Sequence, residues 1–143
     1  MPRSSSLQDR SRAAEEQRIS DALDRYGAVP AREMGQMLDL QADRPERVAR
    51  QRHRAGDLIA VWTDEGLIYP YFQIRGGTPH PVIAKMRRLA TSHGWTERDL
   101  LLWLVSPERH LDGAPVPAEM VANPANEATL LRALAARLVR DAT

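Results

Sequence analysis

Apolar positions recur along this chain with helical spacing, interrupted once by a stretch that reads as strands. From about Ala14, the residues Ile19, Ala22, Leu23 and Tyr26 fall at i, i+3, i+4 and i+7, one face of a helix, and Gly27 follows as a C-terminal stop. Pro30 suits the first turn of a second helix, where its missing N–H breaks no hydrogen bond, and Met34, Met37 and Leu38 share a face beyond it. A polar break from Asp39 to Asp43 surrounds Leu40. A third helix is predicted from Arg44-Pro45 to Ala55, closed by Gly56.

The pattern then changes. Leu58 to Trp62 and Leu67 to Ile74 are β-branched, aromatic and apolar, and Thr63-Asp64-Glu65-Gly66 between them predicts a hairpin turn. Pro70 places the second strand at an edge or bends it, and Gly76-Gly77 marks a turn and a boundary. Pro79 and Pro81 open a fourth helix whose stripe is Val82, Ile83, Met86, Leu89 and Ala90, with Gly94 closing it. Thr96-Glu97-Arg98-Asp99 has the form of a capping box, with Asp in place of Glu, and opens an all-apolar stretch from Leu100 to Val105. Such a stretch is either buried on several sides or partly an interface anchor. Ser106 to Pro117 reads as a compact connector. Asn123-Pro124 then starts a last helix to about Arg140, with Leu130, Leu131, Leu134, Leu138 and Val139 on its apolar face. Residues 1–13 are polar, with three consecutive Ser, and read as a disordered tail. No internal repeat is present.

With 143 residues the chain has room for one domain or two small subdomains. There is no Cys, which removes disulfides, thiol catalysis and Cys-type zinc sites. Mean hydropathy is −0.47 and no span approaches the roughly 20 residues that cross a bilayer, nor is there an apolar signal core, so a cytoplasmic protein is expected. Aromatics are 5%, too few for the stacking platforms of single-strand RNA binders.

Net charge is only +1, but it is unevenly spread. Residues 1–43 hold six Arg against eight acids; residues 44–54 hold five Arg against Glu46; residues 55–75 hold Arg75 against three acids. The excess lies on the third helix, between a short second helix and a hairpin, the layout of a helix-turn-helix with a wing-like ribbon. At 3.6 residues per turn Arg47, Arg50, Gln51 and Arg54 share a face, with Arg44 at the helix start. Arg and Gln read guanine and adenine edges in a major groove, and further Arg hold phosphates. The same residues also make an ordinary solvated basic face, or one that meets an acidic protein. Nineteen of the 20 cations are Arg, which suits phosphate and base recognition and equally a GC-rich genome.

Catalysis is not expected. His53, His80, His93 and His110 lack metal-ligand spacing, Ser106 lacks a nucleophile elbow, Gly76-Gly77 lacks the rest of a phosphate loop, and the acids are dispersed. No metal or cofactor is implied.

One segment carries a more specific pattern. Trp103-Leu104, Pro107, Leu111 and Gly113, with Pro115 or Pro117, resemble the toxin-binding domain of bacterial antitoxins of the Xre/MbcA/ParS type. Upstream, Arg52, Arg54, Gly56, Leu58, Ala60 and Val61, then Tyr69-Pro70-Tyr71-Phe72-Gln73, match longer relatives, so the resemblance spans residues 30 to 140. Glu108 stands where the family often has Asn, and Asn123-Pro124-Ala125-Asn126 replaces its usual linker Gly. The resemblance implies a homodimer that blocks a RES-domain, NAD-consuming toxin and represses its own operon by binding operator DNA. It implies a toxin contact through Trp103, Leu104, Pro107, Leu111, Gly113 and Pro115, and through the last helix, where Arg132, Arg137 and Arg140 project polar groups. The alternative is a transcriptional regulator without a toxin partner. The expected fold is mainly α: a helix-turn-helix with a β-hairpin over residues 14–75, then a small helical toxin-binding and dimerising domain over residues 76–143.

Overall fold

A computed structural model of the chain describes residues 2–142, with side chains from Leu7 onward. In chain order its elements are α1 (Pro2–Tyr26), β1 (Ala28–Pro30), α2 (Ala31–Leu38), α3 (Pro45–Arg54), β2 (Val61–Thr63), β3 (Gly66–Pro70), β4 (Ile74–Arg75), β5 (Thr78–Pro79), α4 (Pro81–Ser92), α5 (Glu97–Leu104) and α6 (Glu127–Ala142). The protein is therefore mainly helical with a small sheet, in agreement with the patterning.

α1 corrects one expectation. The stretch read as a disordered 1–13 tail is helical from Pro2, continuous with the amphipathic part. No Gly or Pro interrupts residues 3–26. On the exposed surface Arg12 pairs with Glu16 at 3.6 Å and Gln17 donates to Asp21 at 2.8 Å, both at i,i+4 spacing. Residues 7–14 are all exposed, so this part has no apolar stripe to reveal it.

The sheet is also larger than the predicted hairpin. β2 and β3 pair antiparallel with Thr63 opposite Gly66, and β1 adds to the other side of β3, Ala28 opposite Pro70. β3 is thus the central strand, and Pro70 ends it rather than marking an edge. β1 is three residues long and carries a Pro, too short for alternation to show. Leu58 to Ala60, expected in strand, form none, although all three are buried. Side chains replace the missing neighbour. Gln73 Oε1 accepts from Ile59 N–H at 2.6 Å, and Gln73 Nε2 donates to the Ile59 and Pro70 carbonyls at 2.7 and 2.9 Å. Gly76-Gly77 turns the two-residue strands β4 and β5; φ of +58° and +79° suits a left-handed two-residue turn.

The caps appear as patterned. Thr96 Oγ1 accepts from Asp99 N–H at 3.1 Å and Asp99 Oδ2 accepts from Thr96 N–H at 2.8 Å, a complete capping box on α5. Asn123 Oδ1 accepts from Ala125 N–H at 3.0 Å and starts a 3-10 turn, Pro124–Asn126, that runs into α6.

Two apolar clusters form. The larger joins Ile19 and Ala22 of α1 to Ile59, Val61 and the buried faces of α4, α5 and α6. The smaller holds Met34, Ala49, Leu58, Ala60, Tyr69 and Ile74. α1, which its position in sequence groups with α2 and α3, therefore buries its stripe against the C-terminal helices. α2 crosses α3 closely because Gly35 has no side chain: a Cβ there would lie 1.7 Å from the Pro45 carbonyl oxygen.

Candidate functional site

α3 presents one charged face. Ala49 packs fully buried in the smaller cluster, and Val48 and His53 are half-buried. Arg44, Arg47, Arg50, Gln51 and Arg54 are all exposed, as is Ala55. Of the arginines from 44 to 54, only Arg52 is ion-paired among the described residues, to Asp57 at 3.2 Å. The structure thus brings the five predicted polar residues together on one surface. Beneath it Tyr69 is fully buried, its ring edge-on to His53 at 6.0 Å. Burial raises the Tyr69 pKa, opposed by the nearby Arg50 charge and helped by Glu97. The β2–β3 tip carries Asp64 and Glu65, both exposed, so the ribbon is acidic where a phosphate-contacting wing would be basic.

The end of α3 is held by side chains the sequence did not single out. Arg87 of α4 donates to the His53 and Leu58 carbonyls, each at 2.8 Å, and pairs with Glu97 Oε1 at 2.9 Å. Glu97, first residue of α5, accepts from Ala60 N–H at 2.7 Å and lies 2.8 and 2.9 Å from His53 Nε2. An ionised carboxylate only accepts, so Nε2 carries the proton. Burial pushes the Glu97 carboxyl up, but the bonds from His53 and Ala60 and the charge of Arg87 outweigh it, and its pKa is lowered. His53, which carries no recognisable motif, is a link in this network. Nothing local marks it, since His53, Arg87 and Glu97 are 34 and 10 residues apart.

The residues of the antitoxin-like pattern separate into two groups. Leu104 and Leu111 are core. Trp103 is also buried, its indole N–H bonded to Glu108, but it lines an open groove of about 790 Å³ between α1, α5, α6 and the connector. Pro107, Glu108, Arg109, Arg137 and Arg140 line it too. Pro115 is half-buried and its carbonyl accepts from Glu108 N–H at 3.0 Å; Gly113 is exposed in the turn. Arg132 faces a different groove, beside His110 and Met120. Arg137 is 3.3 Å from Asp141 and 4.0 Å from Glu108. The sequence reading missed Glu108 as a buried group. No local signal marked it, since Asp112 in the same Pro-punctuated connector is exposed.

Among the described residues no group of three His, Asp or Glu side chains is placed to hold a metal ion, and no helix is long and apolar enough to cross a membrane. Comparison with protein-family models, with curated proteins and with solved structures gave no match.

Proposed function

We propose that the protein is a DNA-binding antitoxin that represses its own operon and blocks a RES-domain toxin. In this reading α2 and α3 form a helix-turn-helix unit, and α3 enters the major groove. Gln51 and the neighbouring Arg47, Arg50 and Arg54 read base edges, and Arg44 holds a phosphate. The observation that carries it is the exposed Arg and Gln face of α3, where Arg44, Arg47, Arg50 and Arg54 have no acidic partner among the described residues. The acidic ribbon tip gives the hairpin no phosphate contact, so α3 supplies the binding surface. A homodimer would present two copies of α3 to two half-sites. The toxin half of the proposal rests on the Trp103-to-Gly113 pattern, with Pro107, Arg137 and Arg140 on the groove as its accessible part.

The burial of Leu104 and Leu111 favours a second reading. These pattern residues have a structural task without any toxin, as in a regulator that kept the domain.

The test of DNA binding is selection of duplexes from a random pool, followed by affinity measurements at two salt concentrations. Selective binding should weaken steeply with salt, and Arg47→Ala with Arg50→Ala should lower affinity for the selected duplex and relax the choice among sequences. Unchanged affinity in that variant would remove α3 from the interface. Co-expression with a RES-domain protein separates the two readings: a stable complex supports the antitoxin, and its absence leaves the regulator.

A further inference from the structure

We infer that Arg87 and Glu97 are positioning residues for sequence readout by α3; the inference rests on the DNA-binding reading above. α2 holds α3 by close packing at Gly35 and Pro45, near the start of α3. The other end is held by polar bonds from outside the helix pair. Arg87 caps the last turn by donating to the His53 carbonyl, and it also fixes the departing chain at Leu58. A cation at a helix C-terminus complements the helix dipole as well as its free carbonyls. Glu97 holds the His53 ring and the Ala60 N–H, and Arg87 and Glu97 hold each other. The side chains of all three residues are 21–23% exposed, so water competes weakly for these bonds.

Neither Arg87 nor Glu97 belongs to the exposed face, so neither needs to touch DNA to matter. Bidentate bonds to base edges demand that α3 sit in one orientation, whereas phosphate attraction tolerates small shifts. Freeing the C-terminal end of α3 should therefore cost selectivity before it costs charge-driven binding. One helix, α5, carries Glu97 in its first turn and Trp103, on the groove, in its last. The placement of the DNA-reading face is thus built partly from residues 76–143.

The experiment compares full-length wild type with Glu97→Gln and Arg87→Lys. Affinity is measured for a selected duplex and for a random duplex over a range of salt, with thermal melting recorded alongside. The expected result is a loss of about tenfold or more for the selected duplex, one bidentate contact's worth. Random-duplex affinity and the salt slope should stay as in wild type. His53→Gln, which keeps a donor toward Glu97, should retain more selectivity than His53→Ala. Should Glu97→Gln fail to fold, Arg87→Lys, which keeps the charge but loses the fork, is read alone. A wild type that binds no duplex overturns the DNA-binding reading itself. A wild type that selects, with folded variants that select equally well, overturns only the positioning role. Equal losses on both duplexes also overturn it.

Discussion

Trp103 donates its indole N–H to the carboxylate of Glu108, five residues further along the chain. That carboxylate is only 2% exposed, and it also accepts from His110 N–H at 3.0 Å and lies 2.7 Å from His110 Nδ1. The bond ties the end of α5 to the connector that follows and lets a polar indole edge sit inside the core. It gives the conjunction of Trp103, Pro107 and Leu111 a structural reason: the chain turns at Val105-Ser106, Glu108 just after Pro107 bonds back to Trp103, and Leu111 then enters the core.

Removing this acceptor should be costly. Glu108→Ala leaves the buried Trp103 N–H without its acceptor, whereas the exposed His110 turns to water, and a loss of about 2 kcal/mol is expected. Glu108→Gln keeps one acceptor and should lose less. Urea unfolding of both variants checks this; equal stability of the Ala and Gln variants would mean the bonds carry no weight.

The same site should respond to acid. Burial pushes the Glu108 carboxyl up, and the bonds from the His110 backbone, the His110 ring and Trp103 more than reverse this, so its pKa in the folded protein is lowered. A lowered folded pKa contributes stability above the ordinary glutamate range, lost as pH falls through the folded value. Glu97 is lowered too and acts in the same direction. The melting temperature should hold from pH 7 to about 5 and then fall, with a shallower fall in Glu108→Gln. An identical acid limb in that variant would contradict the assignment.

Gly35→Ala tests the packing of α3. Its new Cβ would meet the Pro45 carbonyl oxygen at 1.7 Å, a backbone atom that cannot turn aside. α2 and α3 must then move apart, with an expected cost of about 3 kcal/mol in chemical denaturation. Wild-type stability would show that the crossing is looser than described.

Gln73→Leu removes three buried bonds while keeping similar volume. The Ile59 N–H and C=O and the Pro70 C=O lose their partner. Destabilisation of about 2–4 kcal/mol is expected, with faster amide exchange at Ile59 than at its neighbours. Unaltered protection at Ile59 would count against the clamp.

Much of this architecture is legible along the chain. The stripe from Val82 to Ala90, the Thr96–Asp99 box, the two-residue turn at Gly76-Gly77 and the Arg face of α3 rest on periodicity or on cap and turn chemistry, which are local. The helix at residues 2–13 was not legible, because residues 7–14 are all exposed and carry no apolar period. β1 was not legible because a three-residue strand exists only through β3. Leu58 to Ala60 read as a strand because they are apolar and buried, but their backbone bonds go to the side chains of Arg87, Gln73 and Glu97.

The candidate site divides along the same line. The sequence by itself determined which residues are basic and at what spacing, and helical geometry alone then puts Arg47, Arg50, Gln51 and Arg54 on one face. Only the tertiary structure decided that this face is open to solvent, and that its far end is fixed by Arg87 and Glu97. It also decided that Leu104 and Leu111 are core rather than surface, and that Glu108 is buried and satisfied. The physical reason is that hydrogen bonds and burial depend on which distant segments meet. His53 and Glu97 stand 44 residues apart in the chain, and no local pattern encodes their encounter.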